Sequence, residues 1–212
     1  MGTSIDLDIR DPFPYHELTA LADEVFGWFR RVDVLFSTRR AESQISLLDQ
    51  GILRPIQADL LVREVLHTCA LLHRRTHGYF DIHVTGRLDP SQFVTGWALQ
   101  RASATLTEAG ATNHRLRAGG SLYTAGRRRP LAASTLTNLN RIYDPVARCS
   151  ASGLTSVTIT GPNLGITNAY ATAAFAMGPA ALDWLPQLHD HHYTVIDGQG
   201  RRCKNTSAPV RI

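Results

Sequence analysis

The sequence predicts an α+β fold in which helices pack on a mixed or antiparallel sheet. In the first half of the chain, apolar residues recur every three or four positions, which is the period of a helix with one buried face. From Arg115 the period changes to two, and β-branched residues stand near glycines, as they do in strands joined by turns. This mixture of periods is typical of an α+β domain.

The first predicted helix runs from His16 to Phe36, because its apolar residues fall on one face. Ser43 is predicted to cap a short helix that Gly51 ends. Three more helices begin near residues that favour caps or first turns, and a fourth follows the Gly178-Pro179 break. These are Gln57–His77 with Leu61, Val65, Cys69 and Leu72 inward, Ser91–Ala109 capped by Ser91, a helix from Thr167 or Asn168 to Met177, and Pro179–Leu188.

Strands are predicted where alternation and β-branched residues coincide. They are Arg115–Ala118, Leu122–Ala125, Leu154–Thr160 and Tyr193–Asp197. The segment Gly126–Asn140 shows no clear period, and we expect a loop there.

Composition predicts one globular domain over residues 1–212. The chain is 43% hydrophobic and 19% charged, which suffices for a sizeable core. It carries 22 basic and 18 acidic residues, a net charge of +4, but its arginines are scattered as pairs rather than gathered with aromatic residues. A nucleic-acid partner is therefore not expected.

The cysteines and the hydropathy of the sequence indicate the cellular compartment in which we expect the protein. Cys69, Cys149 and Cys203 are widely spaced and odd in number, so neither a disulfide framework nor a zinc knuckle is predicted. No apolar run reaches the roughly 18 residues of a membrane span, and the start of the sequence shows neither a basic and then apolar leader nor a lipobox-like cysteine. We expect a cytoplasmic protein without a membrane partner.

Two histidine groups are weak metal candidates. His73 and His77 share a helical face, but Arg74 and Arg75 flank them and would repel a cation. The run from His189 to His192 contains adjacent side chains, which rarely point at one ion. Neither group is predicted to bind metal.

Seven segments occur in an order and spacing that are more specific than any one of them alone. They are the Met-Gly-Thr start, FSTRRAESQIS from Phe36, GYFDIHV from Gly78, LDPSQFVTGWA from Leu88, RAGGS from Arg117, IYDP from Ile142 and NAYATAAF from Asn168. In this pattern the chain resembles the FAD:protein FMN transferase family, the ApbE-type flavin transferases. The resemblance implies a single-domain architecture related to the T-fold.

The resemblance also implies an activity and a site. Members of the family bind FAD and move its FMN half to a serine or threonine of an acceptor protein, releasing AMP with the help of Mg²⁺. Implied flavin and nucleotide contacts are Met1, Arg39, Tyr79, Phe80, Asp81, Asp89, Thr95 and Tyr143. Implied metal ligands are Gln92, through its backbone, Asn168, Ala171 and Thr172; the catalytic candidates are Arg141 and Asp144.

Four positions depart from the family pattern. Thr95 stands where the family has lysine, Ser121 where it has aspartate, Arg141 where it has histidine, and Asn168 where it has a metal-binding aspartate. Asparagine offers a cation only a neutral carbonyl oxygen. Arginine, by contrast, holds phosphates through paired hydrogen bonds, so Arg141 is a candidate for binding the pyrophosphate without a metal.

Three functions remain open at this stage. The first is an enzyme, an FMN transferase with FAD as donor. The second is a catalytically impaired FAD-binding protein, which the departures at Thr95, Ser121 and Asn168 favour. The third is an FAD pyrophosphatase, in which water replaces the acceptor hydroxyl.

Overall fold

The computed structural model describes residues 4–126, 131–137 and 142–205. Strands and helices divide this part of the chain almost as the two sequence periods predict. The strands are β1 (Ile5–Ile9), β2 (His114–Ala118), β3 (Ser121–Ala125), β4 (Leu131–Thr137), β5 (Tyr143–Asp144), β6 (Cys149–Ser150), β7 (Leu154–Gly161), β8 (His192–Asp197) and β9 (Arg202–Lys204). The helices are α1 (Tyr15–Phe36), α2 (Gln44–Asp49), α3 (Leu60–Arg75), α4 (Ser91–Glu108), α5 (Leu164–Met177) and α6 (Ala181–Trp184).

Within the described ranges, seven strands form one sheet in the order β1-β2-β3-β4-β7-β8-β9, and β5 pairs with β6 in a separate hairpin. Every pairing is antiparallel. The fold class is therefore confirmed as α+β, with the antiparallel alternative for the sheet.

Helices α4 and α5 lie side by side on one face of this sheet, which we call the inner face. Alternate strand residues turn toward them, among them Leu116 in β2 and Val157 and Ile159 in β7, all fully buried. Helices α1 and α3 contact α4 and form a further layer. The core thus lies between the sheet and α4–α5, and between α4 and the N-terminal helices.

The predicted face of α1 is confirmed at most of its positions. Val25, Phe29, Val32 and Phe36 are buried, and Leu21 sits at the margin of the core. Leu18 is only half-buried, because the helix begins just before it at Tyr15.

The predicted loop at Gly126–Asn140 is wrong for residues 131–137, which form β4 in the middle of the sheet. Ala132, Ser134 and Leu136 face the core, whereas Leu131, Ala133, Thr135 and Thr137 are half-buried. Small and apolar residues occupy both faces, so the sequence carries little amphipathic contrast. Residues 127–130 and 138–140 of the predicted loop lie outside the described part.

Several predicted helix boundaries also need correction. Helix α5 begins at Leu164 and not at Thr167 or Asn168, because Asn163 caps it: its Oδ1 accepts a hydrogen bond from the Ile166 N–H. The predicted helix Pro179–Leu188 is interrupted, with α6 between two short 3₁₀ turns at Gly178–Ala180 and Leu185–Gln187.

Helices α3 and α4 begin differently from the prediction. Asp59, rather than a residue near Gln57, caps α3 by accepting from the Leu61 N–H. Val62 rather than Leu61 is buried, together with the predicted Val65, Cys69 and Leu72. Ser91 lies inside the first turn of α4 and is not its cap; the Asp89 carboxylate accepts the Ser91 N–H instead.

Cys69 is buried in α3, as expected of a core residue, and burial raises the pKa of its thiol to about 12. Cys149 and Cys203 are free and exposed. Within the described residues, no helix is both long and apolar enough to cross a bilayer.

Candidate functional site

Helices α4 and α5 approach each other closely where two glycines face the neighbouring helix. A Cβ on Gly96 would lie 2.5 Å from the Leu164 carbonyl oxygen and 2.8 Å from Asn168 Nδ2, and a Cβ on Gly165 would lie 2.9 Å from the ring of Phe93. Real side chains do not tolerate contacts this short, so glycine is required at Gly96 by packing alone. The contact fixes Asn168 against the backbone of α4.

Asn168 joins α5 to strand β3. Its Nδ2 donates a 2.8 Å hydrogen bond to Ser121 Oγ, although 47 residues separate the two positions. Asn168 is 4% exposed, and its Oδ1 has no hydrogen-bond partner among the described residues. A buried unpartnered acceptor costs about 1–3 kcal/mol. We call these two residues the Asn168–Ser121 pair.

The other predicted metal ligands, and Thr95, which stands where the family has lysine, also lie on α4 and α5. Thr172 Oγ1 donates to the Asn168 carbonyl oxygen at 2.9 Å, and Thr95 Oγ1 donates to the Ser91 carbonyl oxygen at 2.9 Å. Ala171 is fully buried, whereas Gln92 is exposed. The hydroxyls of both threonines are thus engaged with their own helices.

This donor set does not fit a protein-held magnesium ion. Gln92, Asn168, Ala171 and Thr172 offer only neutral oxygens, while Mg²⁺ in proteins is usually held by at least one carboxylate. No group of three or more His, Cys, Asp or Glu side chains within the described ranges is arranged to hold a metal. The metal assignment implied by the sequence stays a prediction without support from the geometry.

Four predicted flavin contacts lie in the connection between α3 and α4. Phe80 is buried in the core, where its N–H donates to Thr76 Oγ1 at 3.0 Å. Asp81 Oδ1 accepts the His83 N–H, and the Asp89 N–H donates to the Ile82 carbonyl at 2.7 Å, which closes the loop. Phe80, Asp81 and Asp89 therefore shape this loop, whatever else they bind.

The loop is anchored to α2 and leaves one aromatic ring at its edge. Asp49 Oδ1 accepts the Leu88 N–H at 2.7 Å, and Asp49 also lies 3.5 Å from Arg87. Tyr79 is half-buried against the core.

Arg39 lies in the turn between α1 and α2, which three serines build. Ser43 Oγ donates to the Ser37 carbonyl at 2.6 Å and accepts the Ser46 N–H at 3.1 Å. Arg40 pairs with Asp33 and Glu42, whereas the exposed Arg39 forms no ion pair with any described carboxylate. The segment therefore presents one uncommitted guanidinium.

Tyr143 and Asp144 form β5, and this hairpin packs near α5. Asp144 Oδ1 accepts the N–H groups of Val146 and Ala147, at 2.8 and 3.0 Å, so it shapes the turn. Tyr143 is 37% exposed. Two further predicted residues, Met1 and Arg141, lie outside the described residues.

One buried polar group went unpredicted. His191, from the histidine run, stacks edge-on against Tyr170 at 5.1 Å between ring centres and is 8% exposed. Its Nε2 and the Thr167 hydroxyl both lack partners within the described chain, and both lie within 3 Å of where a Cβ on Gly161 would sit. Burial lowers the pKa of His191. The only sequence signal was Gly161 at a strand end, which is not specific.

Two surface cavities lie elsewhere. One, of about 650 Å³, is lined by Leu154, Leu182, Val195 and Cys203 among others. The second, of about 500 Å³, lies between α1 and α4. Neither is lined by a residue that the motifs assign to flavin or metal, so cavity volume does not identify the predicted site.

Comparisons with known proteins agree with the fold. The model of the ApbE family matches residues 1–87. The fold is similar to the flavin transferase ApbE from Vibrio cholerae, with a TM-score of 0.85 and 16% identity over 98% of this chain and 95% of that one.

Two more structures are similar. The ApbE protein from Thermotoga maritima has a TM-score of 0.77 and 16% identity, covering 97% of this chain and 94% of its own. The flavinyl transferase ApbE from Pseudomonas stutzeri, in its apo form, has 0.78 and 14%, covering 96% and 95%. No curated protein matches the sequence significantly.

At these identities the structural likeness establishes the fold, and the family model adds sequence support over the first 87 residues. The resemblance predicted from the seven segments is confirmed in two respects: the ApbE family model matches residues 1–87, and the fold is similar to those of the ApbE flavin transferase structures.

Proposed function

We propose that this protein is an FAD:protein FMN transferase, which moves FMN from FAD to a serine or threonine hydroxyl of an acceptor protein and releases AMP. One observation carries the proposal. Gly96, Ser121 and Asn168 belong to three separate segments of the predicted site, and they meet at one point of the fold.

The reaction is a displacement at phosphorus. The acceptor hydroxyl oxygen forms a bond to the phosphorus of the FMN half, the bond from that phosphorus to the bridging oxygen breaks, and AMP leaves with the electron pair. The hydroxyl proton passes to solvent or to a nearby base. Such a transfer depends mainly on positioning and on neutralising the phosphate charge.

The chain supplies rigid positioning more clearly than charge. The α4–α5 contact and the hydrogen-bonded loop before α4 hold the site's backbone in place. Arg39 is the described guanidinium in the predicted contact set, and its freedom from carboxylates leaves it available for a phosphate. Arg141 is a second candidate for this role, on sequence grounds.

A second candidate function is FAD binding without transfer. The neutral Asn168–Ser121 pair favours it, because a site without fixed charge near the phosphates stabilises a ground-state ligand more readily than a transition state that redistributes charge. This candidate shares the ligand and differs only in turnover.

One assay separates these functions. The purified protein is incubated with FAD, with and without a flavin-accepting protein, and AMP release is followed together with covalent flavin fluorescence. Transfer gives both signals, hydrolysis of FAD gives AMP alone, and a binder gives a yellow protein with neither signal. A protein that binds no FAD at all would contradict the proposal.

Paired variants test the role of Arg39. We expect Arg39→Ala to weaken FAD binding by about tenfold, the loss of one charge-assisted contact. Arg40→Ala is the matched control, because Arg40 is the neighbouring arginine and is already paired with Asp33 and Glu42. Equal effects of both substitutions would remove Arg39 from the site.

A further inference from the structure

We propose that the site at the Asn168–Ser121 pair binds the FAD pyrophosphate without a divalent cation, through the neutral hydrogen-bonding groups of these two residues. This inference rests on the proposed function, because it specifies how the same site takes its ligand. It has a direct consequence: chelators should leave FAD binding intact.

The first argument is the charge of the site. Asn168 and Ser121 are 4% and 5% exposed, and neither side chain carries charge. A dication placed among neutral oxygens in a buried site loses its hydration without gaining an anionic ligand. The residues present therefore disfavour a cation that is held by the protein alone.

The second argument is the unused hydrogen-bonding capacity of the Asn168 side chain. Its Nδ2 is used by Ser121, while Oδ1 is buried and unpartnered among the described residues. A buried polar atom without a partner is unusual enough in folded proteins to need an explanation, and a ligand that accepts from this amide once the amide has turned over is one. Because that position is shielded from water, binding must also move the side chains that cover it.

The third argument is that Asn168 and Ser121 can exchange the donor and acceptor roles in their hydrogen bond. A serine hydroxyl both donates and accepts, so it can serve either end of the Asn168 amide. With the amide turned over, Ser121 donates to Oδ1 and Nδ2 becomes free to donate to a phosphate oxygen. A carboxylate in the same place could not donate and would need a cation as a bridge.

The test is a calorimetric titration of the purified protein with FAD, first in EDTA and then in excess MgCl₂. We expect the dissociation constant to agree within about twofold between the two buffers. A loss of affinity of about tenfold or more in EDTA would overturn the inference and leave the proposed function standing. Absence of FAD binding in both buffers would overturn both.

A charge-restoring variant supplies the second readout. In Asn168→Asp, and in the double variant with Ser121→Asp, we expect Mg²⁺ to raise the melting temperature and Mn²⁺ binding to become detectable by electron paramagnetic resonance. The wild-type protein should show neither effect. Mn²⁺ bound by the wild type and lost in Asn168→Ala would contradict the inference.

The matched control for this variant lies on the same helix. Asn163→Asp introduces the same charge five residues earlier, at the cap of α5, where an aspartate accepts the same Ile166 N–H. It should behave as the wild type toward Mg²⁺, Mn²⁺ and FAD. If it gains the same metal response, the response reports added charge and not the site; the wild-type titration remains decisive even if Asn168→Asp fails to fold.

Discussion

Two buried polar clusters contact helix α4, and they differ in how completely they are satisfied. In the first, which we call the His114 cluster, His114 Nδ1 donates to the Ala111 carbonyl at 2.6 Å and Nε2 accepts from Ser103 Oγ at 2.7 Å. In the Asn168–Ser121 pair, the Oδ1 atom of the amide has no partner among the residues that the structure describes. The first cluster stabilises the fold alone, whereas the second has hydrogen-bonding capacity to spare for a ligand.

The largest expected effect comes from closing the space beside Asn168. Gly96→Ala would place a methyl group 2.5 Å from the Leu164 carbonyl, against backbone that cannot move aside cheaply. We expect a loss of about 3 kcal/mol or more in the free energy of unfolding, measured by urea titration.

Gly27→Ala is the matched control, since it lies in the interior of α1 with its nearest atom, at the end of the Arg30 side chain, 3.7 Å from the new Cβ. It should stabilise the protein by about 0.5–1 kcal/mol. Destabilisation by both substitutions would mean that the α4–α5 contact is not special.

The next largest effect is expected from removing a hydrogen bond of the His114 cluster. Ser103→Ala leaves His114 Nε2 buried without a donor, and we expect a loss of about 1–3 kcal/mol in the free energy of unfolding with FAD affinity unchanged. Thr105→Ala on the same helix is the control, because its hydroxyl only bonds back to the Arg101 carbonyl. Loss of FAD binding in Ser103→Ala would show that the His114 cluster also serves the ligand.

Acid should weaken the fold through the same residue. Burial lowers the pKa of His114 below the usual 6.5 of a histidine, as it does for His191. Below about pH 6.5 the unfolded chain takes up protons that the folded chain refuses, so stability falls there, and above it both states are neutral and nothing is gained. The slope is at most about 1.4 kcal/mol per pH unit for each histidine.

Urea titrations between about pH 5 and pH 8 measure this slope. His114→Gln should reduce this slope, because it removes a buried titratable group. If His114→Gln left the pH dependence of the free energy of unfolding unchanged, the acid sensitivity would arise from other groups.

The smallest expected effect on the free energy of unfolding comes from the Asp49 contacts with Leu88 and Arg87, which lie nearer the surface than the two clusters. Asp49→Asn keeps the acceptor for the Leu88 N–H and removes only the charge facing Arg87, whose side chain is 65% exposed. We expect a change below about 0.5 kcal/mol, against about 1 kcal/mol for Asp49→Ala, which loses the hydrogen bond as well. Equal losses would indicate that the ion pair dominates.

Sequence alone predicted the parts of the fold that have strong periodicity. The buried face of α1 follows from Val25, Phe29 and Val32, and its length leaves little ambiguity. Strand β4 escaped prediction because alanine, serine and threonine alternate with leucine on both of its faces. The start of α5 was misplaced because Leu164 and Gly165 follow a Gly-Pro pair that suggests a turn.

The sequence predicts the candidate site as a set of segments and not as a geometry. The motifs named Asn168 and Ser121 separately, but their hydrogen bond depends on how α5 packs across β3, which no spacing in the sequence encodes. Asp81, Asp89 and Asp144 were expected to serve ligands or chemistry, and each also bonds to nearby backbone N–H groups or closes its own loop. Such local roles become visible only with coordinates.

The glycine contact between α4 and α5 has an evolutionary consequence. With the Gly96 backbone against its amide, position 168 has little room for a side chain larger than the size of asparagine. Asparagine and aspartate share that size and differ in charge, so a substitution there can change the ionic character of the pocket while the helices stay where they are. Packing therefore limits the size of the side chain at position 168, whereas its charge can change in evolution without disturbing the helices.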